Sequence, residues 1–226
     1  MLASLFHKNG NGDSFSATRM RMVEEQLRGR GIRDERVLAA MATVPREAFI
    51  FPEDAANAYG DYPLPIGAGQ TVSQPYIVAA MLEKLQLQPG DRVLEVGTGT
   101  GYQAAILGEL AAEVWTIERH AELAEKARSI LHELGYSNVH VIYGDGSRGL
   151  QEHAPFDKIL VAAAAPQIPE TLTAQLADGG RMILPVGTRD EQQLQLVRKT
   201  GDQIFVTPED LCRFVPLVGE QGWKAE

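Results

Sequence analysis

With 226 residues, 21 basic against 30 acidic side chains and a net charge of −9, the chain is long enough to bury a sizeable core. Its overall sign opposes nonspecific attraction to nucleic acid or anionic membranes, and no stretch approaches the run of about 18 apolar residues that a membrane span needs. The only cysteine, Cys212, excludes an intrachain disulfide and fits a reducing, cytoplasmic setting.

Residues 1–6 are apolar but lack the basic lead and the length of a secretory signal. The whole of 1–16, with Asn9, Gly10, Asn11, Gly12 and Asp13, reads as a mobile lead-in. Helical periodicity then predicts helices over 17–28 and 34–41, separated by Gly29 and Gly31, with Val23, Leu27, Val37, Leu38 and Met41 on their apolar faces. Pro45 opens a long irregular stretch through 69. Ser73 reads as the cap of a helix over 75–87. From 91 the pattern alternates: strands over 92–96, 113–118, 139–143, 158–162 and 181–184, with helices over 102–110, 121–134 and 168–176. A hairpin over 193–198 and 203–206 follows, with 212–218 returning as a last sheet strand. The expected division is a lead-in (1–16), a helical and substrate-covering region (17–90), a core with its hairpin (91–218) and a tail (219–226).

This order predicts an α/β, Rossmann-like fold with helices on both faces of a mostly parallel sheet. In such sheets ligands sit beyond the carboxyl ends of the strands. The run Leu94-Glu95-Val96-Gly97-Thr98-Gly99-Thr100-Gly101-Tyr102 is a buried strand, a glycine turn and a helix start, which together suit an adenosine-containing ligand. Glu118 ends the next strand 21 residues beyond Gly97, where a carboxylate can accept from ribose hydroxyls. The Gly-x-Gly-x-Gly spacing leans away from a dinucleotide. Asp145, between Gly144 and Gly146, falls on the same sheet edge as residues 163–166; it can accept from an adenine amine or cap a turn. No acid, base and nucleophile arrangement involves His120 or His140, and no histidine and cysteine spacing supports a metal site.

Several stretches carry a more specific resemblance: Arg30-Gly31-Ile32, Val44-Pro45-Arg46, Pro65-Ile66-Gly67, Gly69-Gln70-Thr71-Val72-Ser73-Gln74-Pro75-Tyr76, the glycine turn, Gly144-Asp145-Gly146, Leu184-Pro185-Val186-Gly187 and Arg213-Phe214-Val215-Pro216-Leu217. With these the chain, from about Met22 to Leu217, resembles the protein-L-isoaspartate O-methyltransferase family. The resemblance implies transfer of a methyl group from S-adenosyl-L-methionine to the free carboxyl of isoaspartyl linkages in damaged proteins or peptides. It implies that the resulting ester closes to a succinimide and reopens partly to aspartate. For this chain it places the cofactor on Glu95, Gly97, Thr98, Gly99, Gly101, Glu118 and Asp145, and the transferred methyl beside Ser73 and Thr71. Tyr62, Tyr76 and Phe214 are expected as an apolar peptide wall, with Arg213 attracting peptide carboxylates. Family members often carry a threonine where this chain has Ala162. The competing readings are a methyltransferase acting on a small molecule or nucleic acid, a dinucleotide oxidoreductase, and a noncatalytic adenosine-binding module.

Overall fold

The computed structural model describes residues 12–224. Helix α1 (Gly12–Arg21) continues into a π-helical turn (Met22–Leu27) and a 3-10 turn (Arg28–Arg30) that Gly31 ends in the left-handed region. Asp34 starts α2 (Glu35–Thr43) by accepting from the amides of Arg36 and Val37, so the helix buries Val37, Leu38, Ala40 and Met41. After Pro45 come two 3-10 turns and a two-stranded antiparallel hairpin, β1 (Leu64–Gly67) and β2 (Gln70–Val72). Helix α3 (Pro75–Leu85) follows. Within this cover the fully buried Arg46 donates through Nε to the Ala58 carbonyl at 2.7 Å and lies over the Tyr102 ring at 4.8 Å. Burial holds its guanidinium below its ordinary pKa.

The remainder alternates: β3 (Arg92–Val96), α4 (Tyr102–Leu110), β4 (Glu113–Glu118), α5 (Ala121–Glu133), β5 (Val139–Tyr143), β6 (Phe156–Val161), α6 (Glu170–Ala174) and β7 (Leu176–Gly187). Strands β8 (Gln192–Thr200) and β9 (Gln203–Cys212) complete a seven-stranded sheet in the order β5-β4-β3-β6-β7-β8-β9. The first five in chain order pair in parallel and the last two antiparallel. Side chains alternate across the sheet. Val93, Val114, Leu160, Ile183 and Leu194 therefore join one core with the helices of the cover. Leu94, Trp115, Ile159, Met182 and Val197 join a second core on the other face. Apolar residues point both ways, which is why these strands read as nearly continuous hydrophobic runs.

Several expected boundaries move. The first helix begins at Gly12 rather than 17, because Phe15 packs on the core and meets Tyr59 at 6.3 Å between ring centroids; residues 1–11 of the expected lead-in lie outside the described residues. The stretch 45–69 contains β1, whose short alternating segment escapes a periodicity argument. Helix α3 stops at Leu85, with Gln86 in the left-handed region, short of 87. The strand expected over 158–162 spans Phe156–Val161, the helix expected over 168–176 shrinks to Glu170–Ala174, and β7 starts at Leu176 by pairing with Phe156. Of the strand expected over 212–218 only Cys212 is in the sheet, as the last residue of β9, and residues 213–218 form no strand. They make two isolated bridges, Ala164 to Pro216 and Val218 to Trp223, and run past the carboxyl ends of the parallel strands. The expected tail is packed as far as Trp223, whose Nε1 donates to the Ala164 carbonyl at 3.0 Å.

Candidate active site

At the carboxyl edge of the sheet the glycine turn forms the floor of a cleft of about 790 Å³, its open mouth included. Gly97 (φ +97°) and Gly99 (φ +56°) adopt backbone conformations that side chains rarely tolerate. The amides of Gly97 and Thr98 both reach the Ile117 carbonyl, tying the end of β3 to β4. The Gly99 amide donates to Glu118 Oε2 and the His120 amide to Glu118 Oε1, each at 2.9 Å. Glu118, only 5% exposed, is thereby fixed on the cleft wall, and each oxygen keeps a lone pair for hydroxyl donors.

Behind the turn lies a buried polar relay. Glu95 and Thr116 are register partners on the central strands, and Thr116 Oγ1 donates to Glu95 Oε2 at 2.5 Å. Thr116 Oγ1 is also 2.6 Å from Thr98 Oγ1. Glu95 is fully buried, Oε1 has no partner among the described residues, and burial raises its pKa to about 8 against the opposing Thr116 hydrogen bond. Glu95 thus supports the turn from beneath, while Thr98 and Gly99 line the cleft itself. Gly101 also stands off the cleft wall: it starts α4 at φ +94°, where a Cβ would come within 3.1 Å of Leu131 on α5.

Asp145 takes its capping role. Its Oδ1 accepts from the Ser147 amide and hydroxyl, and its Oδ2 from the Glu220 amide at 2.9 Å. Burial opposes ionisation, yet these hydrogen bonds hold its pKa below the ordinary value. With Arg119, Tyr143 and Val218 it lines a side recess adjoining the main cleft, which Gly146 reaches instead.

Thr71, on β2, and Ser73, just beyond it, line the same cleft as the glycine turn. The expected capping role of Ser73 does not hold. Gln74 is the N-cap position of α3, without a side-chain cap bond, and Asp61 Oδ1 accepts from the Tyr76 amide at 2.9 Å in the first turn. Asp61 lies twelve or more residues upstream, so no local pattern reveals it. Ser73 therefore has no side-chain hydrogen bond among the described residues, and its hydroxyl is available to a ligand.

A second, outer cleft of about 1220 Å³, again with its mouth, is lined by Ile77, Arg189, Arg213 and Phe214. Thr71, Ser73, Ala162, Val215 and Pro216 line both clefts. Phe214 and Arg213 thus fall on the expected wall, whereas Tyr76 packs under Arg30 at 3.6 Å and Tyr62, 45% exposed, lines neither cleft. Thr100 and Gln103 also line the inner cleft and were not singled out from the sequence. The available signal was a lone polar residue, Gln103, in the apolar start of α4.

The chemistry of the inner cleft fits an adenosyl ligand with a polar tail: a fixed acidic acceptor, a turn held open by glycines, and unpartnered polar side chains on Thr100 and Gln103. A family model described as Protein-L-isoaspartate(D-aspartate) O-methyltransferase (PCMT) matches residues 18–222. The chain is 62% identical over 209 residues to the protein-L-isoaspartate O-methyltransferase of Koribacter versatilis strain Ellin345, covering 92% of this chain and 94% of that protein. It is 55% identical over 213 residues to protein-L-isoaspartate O-methyltransferase 1 of Rhodopseudomonas palustris strain HaA2, covering 93% and 86%. A solved protein-L-isoaspartate O-methyltransferase superposes with a TM-score of 0.81 at 30% identity, over 90% of this chain and 67% of that one. A Plasmodium falciparum chain assigned the same activity, solved with S-adenosyl-L-homocysteine, gives 0.76 at 27% identity over 87% and 96%. These matches take in the cover and the C-terminal segment as well as the glycine turn, and the chain belongs to the protein-L-isoaspartate(D-aspartate) O-methyltransferase family.

Proposed function

We infer that the chain transfers the methyl group of S-adenosyl-L-methionine to the free carboxylate of isoaspartyl residues in damaged proteins or peptides. Family membership supports the activity. The observation that supports its geometry is the junction of two clefts at Thr71 and Ser73, one suited to an adenosyl ligand and one open to a peptide. When bound, the cofactor supplies a methyl group on a positively charged sulfur.

An isoaspartyl carboxylate is already ionised near neutral pH, so the chain needs neither a strong base nor a covalent nucleophile. Its task is alignment, which removes much of the entropic cost of bringing two reactants together. In this reading Glu118 accepts from the ribose hydroxyls and fixes the depth of the adenosyl group. Gly97 and Gly99 allow the backbone to approach closely. Ser73 donates to one carboxylate oxygen and leaves the other free to attack in line, with Thr71 on the same rim. Val215 and Pro216 close the junction against water, and Arg213 attracts the peptide from the outer side. Asp145 reaches adenine only through the side recess, with its capping bonds retained.

Incubation with methyl-labelled S-adenosyl-L-methionine and an isoaspartyl peptide, followed by fragment mapping, tests this reading. One base-labile ester per peptide, on the isoaspartyl carboxyl, is expected together with S-adenosyl-L-homocysteine. Cofactor binding without any ester would favour an adenosine-binding module instead.

A further inference from the structure

Strand β9 stands at one end of the sheet, paired with β8 on one side and, among the described residues, with no strand on the other. Its first half carries three consecutive exposed apolar residues, Ile204, Phe205 and Val206, at 41%, 47% and 45%. None of them lines either cleft. The two-residue turn Gly201-Asp202 makes Thr200 and Gln203 the closing pair of the hairpin. Hydrogen bonding alternates along an antiparallel pair, so Gln203, Phe205 and Thr207 turn their backbone groups toward β8, and Ile204 and Val206 turn theirs outward. Pro208, next in the outward series, has no N–H and ends the usable edge. Free edges are ordinarily blunted by charge or proline. The stretch 203–207 holds neither, which makes it a template for one more strand.

Charge says what that strand carries. Arg181, Arg198 and Phe205 are register partners on β7, β8 and β9, so their side chains share one face of the sheet. Like charges directly opposite each other destabilise a sheet. Burial, and then the Arg198 charge, holds the Arg181 guanidinium below its ordinary pKa. Arg181 Nη1 donates to the Lys84 carbonyl at 3.2 Å, and neither arginine has a carboxylate partner among the described residues. The neighbouring carboxylates are committed: Glu209 pairs with Lys84 Nζ at 2.6 Å and Asp178 accepts from the Gly201 amide at 2.6 Å, while Asp202 stands in the turn, outside the edge. A residue opposite Phe205 on an added strand lies two strand spacings, about 10 Å, from Arg198, a gap that the long arginine and glutamate side chains span together. Residues opposite Ile204 and Val206 point to the other face, against those apolar side chains.

We propose that the free edge of β9 at 203–207 docks an extended protein segment of alternating apolar and acidic residues, which adds to the sheet as a strand with its carboxylate toward Arg198. The proposal does not depend on the methyltransferase reading. Following the amides of 203–207 in the full chain by NMR, while the capped peptide Thr-Val-Glu-Val-Thr is added to millimolar concentration, tests it. Saturable shifts centred on this edge are expected. Arg198→Gln weakens the peptide about two- to fivefold, the scale of one exposed ion pair, and in the parent the same peptide with lysine in place of glutamate binds more weakly still. N-methylation of both valines, which face the outward groups of Ile204 and Val206, abolishes the shifts.

The absence of saturable shifts at 203–207, equal affinity for the glutamate and lysine peptides, unchanged affinity in Arg198→Gln, or retained binding of the methylated peptide overturns the proposal. Shifts at 203–207 that grow with protein concentration in the absence of peptide assign the edge to a second copy of the chain, which overturns it as well.

Discussion

Glu118 is fixed by the fold, and in the proposed reading it serves the ligand as well. Its two oxygens already hold the amides of Gly99 and His120, so Glu118→Ala removes the loop anchor together with the proposed ribose acceptor. Cofactor titration is expected to show a loss of about 1.5–3 kcal/mol, the usual range for hydrogen bonds involving a charged group. An unchanged dissociation constant in a folded variant would contradict the assignment. Ser73→Ala separates the two roles more cleanly, because Ser73 does not cap α3. Single-turnover methyl transfer should fall while cofactor affinity and thermal stability stay close to the parent's; normal transfer at matched peptide occupancy rules against carboxylate orientation. Glu95 is a matter of pH. Its carboxyl is raised from an ordinary value of 4.5 to about 8 in the folded chain, so the folded state holds a proton that the unfolded state releases. Its contribution to stability is complete below the unfolded value and is lost as pH rises through about 8. Glu95→Gln, which keeps the neutral shape, should flatten the decline in unfolding free energy between pH 5 and 9 (about four units, within which a raised carboxyl titrates). A parent and variant with the same pH profile would rule this out.

At the level of elements, β3, β4, β5 and α4 have the spans read from the sequence, since each is an apolar run closed by glycine or by a charged end. The glycine turn and Glu118 were legible for the same reason: strand end, turn and helix start are adjacent in the chain. What escaped depends on distant partners. Asp61 bonds the first turn of α3 from a loop, β1 is recognisable only by its pairing with β2, and 212–218 looks like a strand by composition but spends its polar groups on Ala164. The C-terminal segment is the clearest case. Residues 219–224 looked like a tail, yet Glu220 and Gln221 donate their amides to Asp145 and Ser147. Asp145→Ala should therefore lower the unfolding free energy by about 1–3 kcal/mol, the cost of leaving the donors of the buried Ser147 without their acceptor, and increase amide exchange in 219–224. Denaturant unfolding indistinguishable from the parent's, with exchange unaltered, would show that Asp145 does not anchor this segment.

The whole molecule places chemistry at one edge of a sheet and specificity in what covers that edge. Strands β3 and β4 supply the turn and the acid, and the cover supplies Thr71 and Ser73. The segment after β9 closes the remaining side with Val215 and Pro216. Two clefts share these five residues, Ala162 included, and in the proposed reading their junction holds an adenosyl donor and a chain-borne carboxylate at one point. Such a junction discriminates by position, because isoaspartate and aspartate carry the same carboxylate at different distances from the backbone. The most direct measurement compares initial rates of methyl transfer to two peptides that differ only in that linkage, at saturating cofactor. The isoaspartyl peptide is expected to be methylated roughly 100-fold faster, the scale on which misplacement by about 1 Å slows an aligned reaction. Equal rates for the two peptides would contradict positional selection at the Thr71 and Ser73 junction.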